Sequence, residues 1–278
     1  MTILVTGATG EVGRCVVTEL LRSGHAVRAL TRRSAAAGLP GGVEVFEGDL
    51  ERPESLREAL TGVERLYLFP VPQAISEVVA LAAESGVRRI VNLSGALADD
   101  AMFADGYQVV ERAVEESGLE WTHIRPGEFA RNWLDWAPSI RAERVVRRPY
   151  GGAVTQPIHE ADVAAVAAAV LLGEGHAGRT YTFAGPRSLT VAEQAEAIGR
   201  ALGERVRFEE QDPVTAREQW VRHGYPATVV DWLFGIWAES AHDPAPLNEE
   251  WATLVPRLTG RPARTFDEWA ADHVTAFR

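Results

Sequence analysis

The sequence predicts an α/β fold, a doubly wound parallel sheet with a smaller α+β lobe in the C-terminal part. In the first half of the chain, short apolar segments of strand length alternate with longer segments of helical periodicity. Turns rich in glycine, proline and polar residues separate these segments. With 278 residues, 46% of them hydrophobic, the chain can form one large α/β domain or two small ones.

The strand-like segments of the first half are short and rich in aliphatic residues. We predict strands at Ile3–Thr6, Ala26–Thr31, Val43–Glu47, Arg65–Phe69, Arg89–Leu93 and Trp121–Arg125. The segments between them predict helices at Glu11–Ser23, Pro53–Leu60, Pro72–Ser85 and Tyr107–Ser117. Because predicted helices lie between most of the successive strands, the strands are expected to run parallel.

The pattern changes after Pro126. Residues 128–152 contain a basic cluster and a Pro149-Tyr150-Gly151-Gly152 turn, and we interpret them as a crossover with little regular structure. The elements expected beyond it are a buried helix at His159–Leu172, a strand at Arg179–Phe183, a helix starting at Thr190, a strand at Val206–Glu210 and a helical tail. We therefore expect a first domain over residues 1–150 and a lobe over residues 151–278, with segments around 155–185 returning to the first domain.

Composition excludes several classes of partner. The 39 acidic and 28 basic residues give a net charge of −11, which repels nucleic acid and anionic membranes on average. The longest apolar helical stretch, Val163–Leu172, is too short to span a bilayer. Cys15 is the only cysteine, so no internal disulfide forms, and no charged leader precedes the first strand. We expect a cytoplasmic monomer or homodimer.

All 28 basic residues are arginine, because the sequence contains no lysine. A Walker-type phosphate loop, a Schiff base and a lysine-assisted general acid each need a primary amine. The sequence therefore excludes these mechanisms.

A glycine-rich turn follows the first predicted strand. It reads Thr6-Gly7-Ala8-Thr9-Gly10-Glu11-Val12-Gly13, and a helix begins inside it. Gly7 permits a sharp turn, Gly10 allows backbone amides to approach a pyrophosphate, and Gly13 lets the helix pack closely on the strand. In this βαβ context the motif predicts a dinucleotide site, the alternative being a structural glycine-rich turn.

The end of the second strand indicates which dinucleotide binds. A site for NAD usually has an acidic residue there, whereas this strand ends Leu30-Thr31-Arg32-Arg33. The guanidinium of Arg32 suits a 2′-phosphate, so we predict NADP(H); the alternative is a solvated pair of surface arginines. After the third strand, Asp49 and Leu50 are candidates for contact with the adenine, and Asp49 is also able to cap the following helix.

Together these residues resemble the NmrA-like family of atypical short-chain dehydrogenases over most of the chain. The resemblance lies in the glycine turn, Arg32, Gly48-Asp49-Leu50, Ser94-Gly95, Arg125-Pro126-Gly127-x-Phe129-x-x-Asn132 and His159-Glu160-x-Asp162-Val163-Ala164. It implies a Rossmann domain that binds NADP(H), a small C-terminal substrate lobe and a substrate cleft between the two.

The proton relay usual in short-chain dehydrogenases is incomplete. Those enzymes carry Tyr-x-x-x-Lys, whereas the nearest match here is Tyr107-Gln108-Val109-Val110-Glu111. A glutamate at that position opposes formation of a tyrosinate. We keep Tyr107 and Ser94, which follows the fifth strand, as candidate catalytic residues. Their alternative roles are helix packing and strand termination.

Other candidate chemistry is weaker. His123 lies within a predicted strand, and His159 flanks a predicted helix. The string His159-Glu160-Ala161-Asp162 lacks a second histidine, so we expect no metal site. No Gly-x-Ser-x-Gly elbow occurs, which argues against a serine hydrolase.

Apolar residues near the expected cofactor site suggest the substrate class. Phe69, Pro70 and Val71 follow the fourth strand, and we expect Phe69 and Pro70 to contact the cofactor and Val71 the substrate. Aromatic residues after the sixth strand, at spacings near one helical turn, are further substrate candidates: Phe129, Trp133 and Trp136. The alternative for such rings is the hydrophobic core.

The leading hypothesis is an NADPH-dependent oxidoreductase acting on a small apolar or aromatic electrophile, such as a quinone or an enone. Such an acceptor needs little acid catalysis, because the anion formed is delocalised. One alternative is a non-catalytic NADP(H) sensor. Another is a biosynthetic ketoreductase or isomerase on the same scaffold.

Overall fold

The computed structural model describes residues 1–34, 38–244 and 248–278, which divide into two compact units. The first unit comprises Met1–Gly127, Glu160–Phe183 and Thr253–Pro262. The second comprises Glu128–His159, Ala184–Ala252 and Ala263–Arg278. Each unit is therefore assembled from segments that are distant in sequence.

Strands and helices alternate through the first unit, as the sequence predicts. The elements of both units are numbered together in chain order. The strands are β1 Thr2–Val5, β2 Ala26–Thr31, β3 Val43–Glu47, β4 Arg65–Leu68, β5 Arg89–Leu93, β6 Glu120–Pro126, β7 Val145–Arg148, β8 Val154–Thr155, β9 Arg179–Phe183, β10 Leu189–Thr190 and β11 Arg207–Glu210. The α-helices are α1 Glu11–Arg22, α2 Arg57–Leu60, α3 Ile75–Glu84, α4 Val109–Glu115, α5 Ala137–Glu143, α6 Glu160–Leu172, α7 Val191–Leu202, α8 Pro213–Arg222, α9 Ala227–His242, α10 Glu249–Thr259 and α11 Phe266–Asp272.

Seven strands of the described chain form one parallel sheet in the first unit. Their order is β3-β2-β1-β4-β5-β6-β9. The chain moves outward in one direction from β1 to β3 and in the other from β4 to β9. The strand order thus reverses between β1 and β4, and open α/β sheets bind ligands beyond the carboxyl ends of the strands at such a reversal.

Apolar side chains on both faces of this sheet form the core of the first unit. The helix α6 is buried along most of its alanine- and valine-rich length and packs against α1. A cluster that includes Leu66, Val78 and Val110 packs α3 and α4 against the sheet. The predicted doubly wound parallel sheet is confirmed. None of the helices that the structure describes is both long and apolar enough to cross a membrane.

The second unit has its own core and two small sheets. In these, β7 pairs in parallel with β11, and β8 pairs antiparallel with β10. Buried aromatic residues, among them Trp133, Phe266 and Trp269, pack beneath α7.

One expectation for this unit is wrong. Residues 128–152 are not an irregular crossover, since they contain a 3₁₀ segment at Ala130–Trp136 followed by α5 and β7. The strand β7 is stabilised by a partner about 60 residues later in the chain, β11. A basic sequence such as Arg147-Arg148 hides this pairing, because Arg147 forms ion pairs with Glu143 and Glu209 while the backbone adds to the sheet.

Candidate functional site

The turn after β1 is built from close backbone contacts. Gly7 has a φ of +60°, a conformation that favours glycine. A Cβ atom on Gly13 would lie 2.2 Å from the carbonyl oxygen of Gly7, so only glycine fits there. Thr6 fixes the turn to β4, since its hydroxyl donates to the carbonyl of Tyr67 at 3.0 Å and accepts from the amide of Phe69 at 2.8 Å. These contacts hold the start of α1 against the carboxyl end of β1.

The start of α1 is suited to an anion. Its N-cap residue is Gly10, which has no side chain to bond the first amides of the helix. The amide of Gly10 donates to the carbonyl of Gly7 at 2.9 Å, which aligns the turn with the helix axis. Glu11 and Val12 form the first turn of α1. The helix dipole and its N-terminal amides together favour a phosphate at this position.

A cavity of about 460 Å³ lies over this turn. It is lined by residues of the glycine turn and of the carboxyl ends of β2, β3 and β4, namely Gly7, Thr9, Gly10, Leu30, Thr31, Arg32, Arg33, Gly48, Asp49, Leu50, Glu51, Phe69 and Val71. The structure thus brings together most of the residues predicted to bind the cofactor. Four residues predicted to bind the cofactor are absent from its lining, namely Glu11, Val12, Gly13 and Pro70.

Two arginines place positive charge in the cavity wall just after β2. Arg32 and Arg33 are exposed and line the cavity, and neither forms an ion pair with any residue that the structure describes. The nearby acid, Glu47 at the end of β3, instead accepts hydrogen bonds from the amide and hydroxyl of Ser34. Those bonds lower the pKa of Glu47 and keep it ionised. The guanidinium groups therefore remain open to an anionic ligand.

Asp49 has a structural role as well as a place in the cavity wall. Its carboxylate accepts from the amide of Glu51 at 3.1 Å and lies 3.5 Å from the Arg52 guanidinium. Its own amide donates to the Ser55 hydroxyl at 2.9 Å. The expected capping role of Asp49 is wrong, because the following 3₁₀ segment Pro53–Leu56 has Arg52 as its N-cap and no side-chain cap, and the Asp49 carboxylate bonds the Glu51 amide before it.

Sequence reasoning missed Thr31 and Gly48 as lining residues. The Thr31 hydroxyl lies 3.5 Å from that of Thr9, which bridges β2 and the glycine turn. A Cβ atom on Gly48 would lie 2.8 Å from the Leu30 side chain, so glycine keeps the wall close. The signal for both was their position at the carboxyl ends of β2 and β3.

The ring of the candidate catalytic residue Tyr107 lies against Gly95, the residue that follows the other candidate, Ser94. Ser94 follows β5 and is 3% exposed, while Tyr107 lies in a π-helical turn at Ala104–Gln108. A Cβ atom on Gly95 would lie 3.0 Å from the Tyr107 ring and 3.4 Å from its hydroxyl, so the glycine admits the ring. Burial raises the pKa of Tyr107, which keeps the phenol protonated and able to donate.

Glu111, which stands where the family's relay has a lysine, forms a buried ion pair. Both of its oxygens accept from Arg125, at 2.8 and 2.6 Å, and Arg125 also binds Asp99. Burial alone would raise the pKa of Glu111, but the hydrogen bonds and the positive charge of Arg125 outweigh it and lower the pKa. The charge of Glu111 is thus neutralised locally, and the raised pKa of Tyr107 comes from burial.

The histidine of β6 is a satisfied interior residue. His123 is fully buried, with its Nδ1 atom 3.3 Å from the Asn92 amide nitrogen and its Nε2 atom 3.3 Å from Glu115. A neutral ring protonated at Nε2 satisfies both contacts, and burial lowers the pKa of His123 accordingly.

The aromatic residues predicted to bind substrate lie in the second unit. Trp133 is 1% exposed and belongs to the core cluster with Phe266. Trp136 is half-buried and donates from its indole nitrogen to the carbonyl of Arg147. Phe129 is half-buried and forms a β-bridge with Ile158. Trp133 therefore serves the core, the alternative that the sequence left open for these rings.

Comparison with known proteins identifies the family of this chain. Residues 7–174 match the model of a family described as NAD(P)H-binding. The chain is 41% identical to a (4-alkanoyl-5-oxo-2,5-dihydrofuran-3-yl)methyl phosphate reductase of Streptomyces griseus, covering 99% of both proteins. It is 34% identical to an NAD(P)H azoreductase of Xenophilus azovorans, again over 99% of each.

A solved structure of similar sequence agrees as well. An NADPH-dependent quinone oxidoreductase of Escherichia coli, complexed with NADPH, is 25% identical. It covers 97% of this chain and 99% of its own, with a TM-score of 0.79. The match to the family model includes the glycine turn, the arginines of β2 and the Ser94–Tyr107 region. As the NmrA-like resemblance predicted, the chain belongs to the NAD(P)H-binding family.

Proposed function

We propose that this NAD(P)H-dependent oxidoreductase prefers NADPH and reduces a small conjugated electrophile. The observation that carries the proposal is the cavity at the reversal of strand order between β1 and β4. The glycine turn that precedes α1, Arg32 and Arg33 line this same cavity. An amide-rich helix start suits a pyrophosphate, and two exposed guanidinium groups suit a further phosphate.

The residues present fit a dinucleotide. Gly7, Gly10 and Gly13 leave the space that side chains would fill, and Arg32 would hold the 2′-phosphate. Phe69 is 44% exposed at the end of β4, where its ring would form an apolar wall together with Val71. When bound, NADPH supplies hydride from its nicotinamide ring.

The acceptor we propose has a double bond conjugated with an electron-withdrawing group. The name of one relative, a reductase of a 4-alkanoyl-5-oxo-2,5-dihydrofuran, describes an acceptor of this kind, and the name of another, an azoreductase, describes an acceptor with an N=N double bond. Hydride addition to such a double bond gives a delocalised anion, which is protonated without a strong acid. The lack of a lysine in the Tyr107–Glu111 relay is compatible with this chemistry.

In this proposal Tyr107 and Ser94 orient the acceptor and assist transfer of a proton to it. The neutral Tyr107 phenol would donate a hydrogen bond to the acceptor oxygen as negative charge develops there. The Ser94 hydroxyl is buried and has no hydrogen-bond partner among the residues described, so it is available to bond the acceptor. Glu111 is held in its ion pair with Arg125. The single cysteine and acidic charge are in keeping with a cytoplasmic enzyme.

The test is consumption of NADPH with a panel of quinones, butenolides, acyclic enones and azo compounds. We expect oxidation of NADPH with at least one class of acceptor and a product reduced by two electrons. A Tyr107→Phe variant should lower kcat about 10- to 100-fold with an enone, because it loses the hydrogen bond to the oxygen that becomes negative in the enolate. Tight binding of NADPH without turnover on the whole panel would contradict the proposal and favour a cofactor sensor.

A further inference from the structure

Arg148, at the end of β7 in the second unit, is a buried arginine with unpaired donors. Its side chain is 1% exposed, and its Nε and Nη2 atoms have no hydrogen-bond partner among the residues described. Buried charged donors without a partner are costly, and they are rare in native proteins. Their presence indicates that a ligand or solvent oxygen belongs beside them.

The two unpaired donors lie on one edge of the guanidinium group. Elsewhere in this protein the same edge holds a carboxylate through two oxygens. Arg125 binds Glu111 in this way at 2.8 and 2.6 Å, and Arg217 binds Asp231 at 2.5 and 2.8 Å. Arg148 presents this bidentate fork with no carboxylate on it, and the fork matches two oxygens of a carboxylate or a phosphate.

The acid best placed to fill the fork is held elsewhere. Glu210 lies directly opposite Arg148 in the pairing of β11 with β7. Its two oxygens instead accept from the backbone amides of Tyr150 and Gly151, at 2.6 and 3.0 Å. Tyr150 adopts a φ of +60°, which is unfavourable for a residue other than glycine. A strained turn thus keeps the cross-strand acid away from the fork.

The second acid near Arg148 is Glu128. Burial raises the pKa of Glu128, opposed by the positive charge of Arg148 and by the Thr155 hydroxyl. The raised pKa means that burial weakens the ionisation of Glu128 beside Arg148. The charge of Glu210 is shared with two backbone amides.

Trp237 holds the guanidinium in place. The Cζ atom of Arg148 lies 3.4 Å from the centroid of the Trp237 ring. This stacking covers one face of the guanidinium and fixes its plane, so the edge with Nε and Nη2 keeps its orientation. Burial lowers the pKa of Arg148 to about 10, so the side chain remains charged at neutral pH.

We propose that Arg148 binds an oxyanion, a carboxylate or a phosphate monoester, carried by the substrate of this enzyme. The inference rests on the proposed function for the identity of the molecule, since the oxyanion is a substituent of the conjugated acceptor. It narrows the substrate class from apolar electrophiles to acceptors that also carry a negatively charged group.

The first test measures binding of an anion directly. Phenyl phosphate and benzoate are titrated against the wild-type protein while tryptophan fluorescence is recorded, with benzamide as the neutral probe. Arg148→Met should weaken binding of the preferred anion about 10-fold or more, and Arg148→Lys should restore part of it. Arg205→Met removes an exposed arginine of the same unit and should leave binding unchanged.

The two anions distinguish the two chemistries. Tighter binding of phenyl phosphate assigns a phosphate substituent, and tighter binding of benzoate assigns a carboxylate. Absence of binding by either anion at millimolar concentration, or equal binding in wild type and Arg148→Met, would overturn the proposal.

The second test compares acceptors in turnover. A hydroxymethyl butenolide, its phosphate ester and a carboxymethyl analogue are reduced with NADPH. Arg148→Met should raise KM for the preferred anionic acceptor about 10-fold or more and leave KM for the neutral acceptor unchanged. Equal losses on all acceptors would contradict a role in binding the anion. Binding of phenyl phosphate without reduction of any acceptor would contradict the proposed function and leave the anion site intact.

The third test separates binding from structure. Arg148→Met removes a buried cation with unfilled donors, which stabilises the fold, and its stacking on Trp237, which destabilises it, so the variant should unfold within about 5 °C of the wild type. A fall in unfolding temperature, together with unchanged anion binding, would assign Arg148 a structural role and overturn the proposal.

Discussion

Arg32 has a specific task at the end of β2, where many NAD sites have an acid. Its guanidinium lines the cavity and has no ion-pair partner among the residues described. An arginine fork on a 2′-phosphate forms charge-assisted bonds that NADH cannot make. At the scale of one residue, this is the feature by which we propose that the protein prefers NADPH.

Arg32→Ala should weaken binding of NADPH about 10- to 100-fold and leave binding of NADH nearly unchanged. The measurement is the dissociation constant of each cofactor, obtained from fluorescence titration. Arg22→Ala, which alters an exposed arginine of α1, is the control. Equal losses for NADPH and NADH would show that Arg32 does not hold the 2′-phosphate.

Gly13 is needed in the turn because it has no side chain. A methyl group there would meet the Gly7 carbonyl oxygen at 2.2 Å, so the turn must move to admit it. Gly13→Ala should lower the free energy of unfolding by about 1–3 kcal/mol and weaken NADPH binding as well. Denaturant unfolding and cofactor titration measure the two effects.

Gly235 in α9 provides the matched control. A Cβ atom on Gly235 meets nothing within 4 Å, and the residue lies inside a helix. Gly235→Ala should raise the free energy of unfolding by up to about 1 kcal/mol. A similar change in the free energy of unfolding for both variants would mean that the Gly7 carbonyl does not exclude a side chain at Gly13.

At the scale of elements, the ion pair of Arg125 and Glu111 joins β6 to α4. The Glu111 side chain is 7% exposed and the Arg125 side chain 14% exposed. Removal of one partner leaves the other charge buried without compensation, which is strongly destabilising. The pair also sets the position of Glu111 beside Ser94.

Arg125→Met should lower the free energy of unfolding by about 3–5 kcal/mol, as measured by chemical denaturation near pH 7. Arg200→Met breaks an exposed pair with Asp267 and should cost about 0–1 kcal/mol. Because the pKa of Glu111 is lowered in the folded protein, the contribution of the pair is present at neutral pH and is lost as the carboxyl is protonated in acid. Equal costs for the two variants would contradict the structural role of the buried pair.

The elements of the first unit could be predicted from sequence because their signals are local. Glycine spacing, strand length and helix periodicity are read within a few residues, and β2, β3, β5 and β9 have the predicted bounds. The strand β7 could not be predicted, because it depends on pairing with β11. The partner of Glu111 could not be predicted either, since it depends on where β6 places Arg125 beside α4.

The cofactor half of the site was similarly accessible to sequence reasoning, whereas its substrate half was not. Gly7, Arg32 and Asp49 follow strand ends, and strand ends gather at one edge of a parallel sheet. Aromatic residues such as Trp133 give no such signal, because core packing and ligand contact favour the same residue types. Arg148 lay within a basic cluster and gained its buried position only through the packing of β7 and α9.

Over the whole molecule, many exposed carboxylates are stabilised in their ionised form. Arginine bonds lower the pKa of one group of acids, namely Glu143, Glu174, Glu204 and Asp231. Hydrogen bonds at helix starts lower the pKa of another group, namely Glu193, Asp212 and Glu268. The folded chain therefore binds fewer protons than the unfolded chain in mildly acidic solution.

This difference predicts acid sensitivity. The free energy of unfolding should fall steadily as pH drops below about 4.5, through the ordinary carboxyl range toward the lowered values. Salt at 0.5 M should reduce the loss of unfolding free energy that comes from the arginine pairs more than the loss that comes from the helix caps. Denaturant titrations at a series of pH values measure the slope, and a free energy that stays constant down to pH 3.5 would contradict the prediction.

The central claim is that the protein passes hydride from NADPH to a conjugated acceptor. It is tested most directly with two preparations of NADPH, each carrying deuterium on one face of nicotinamide C4, and a butenolide acceptor. We predict that one of the two preparations places one deuterium at the β-carbon of the reduced butenolide, with one NADP⁺ formed per molecule reduced. Reduced product without deuterium from either labelled face, or no reduction while NADPH remains tightly bound, would contradict the account.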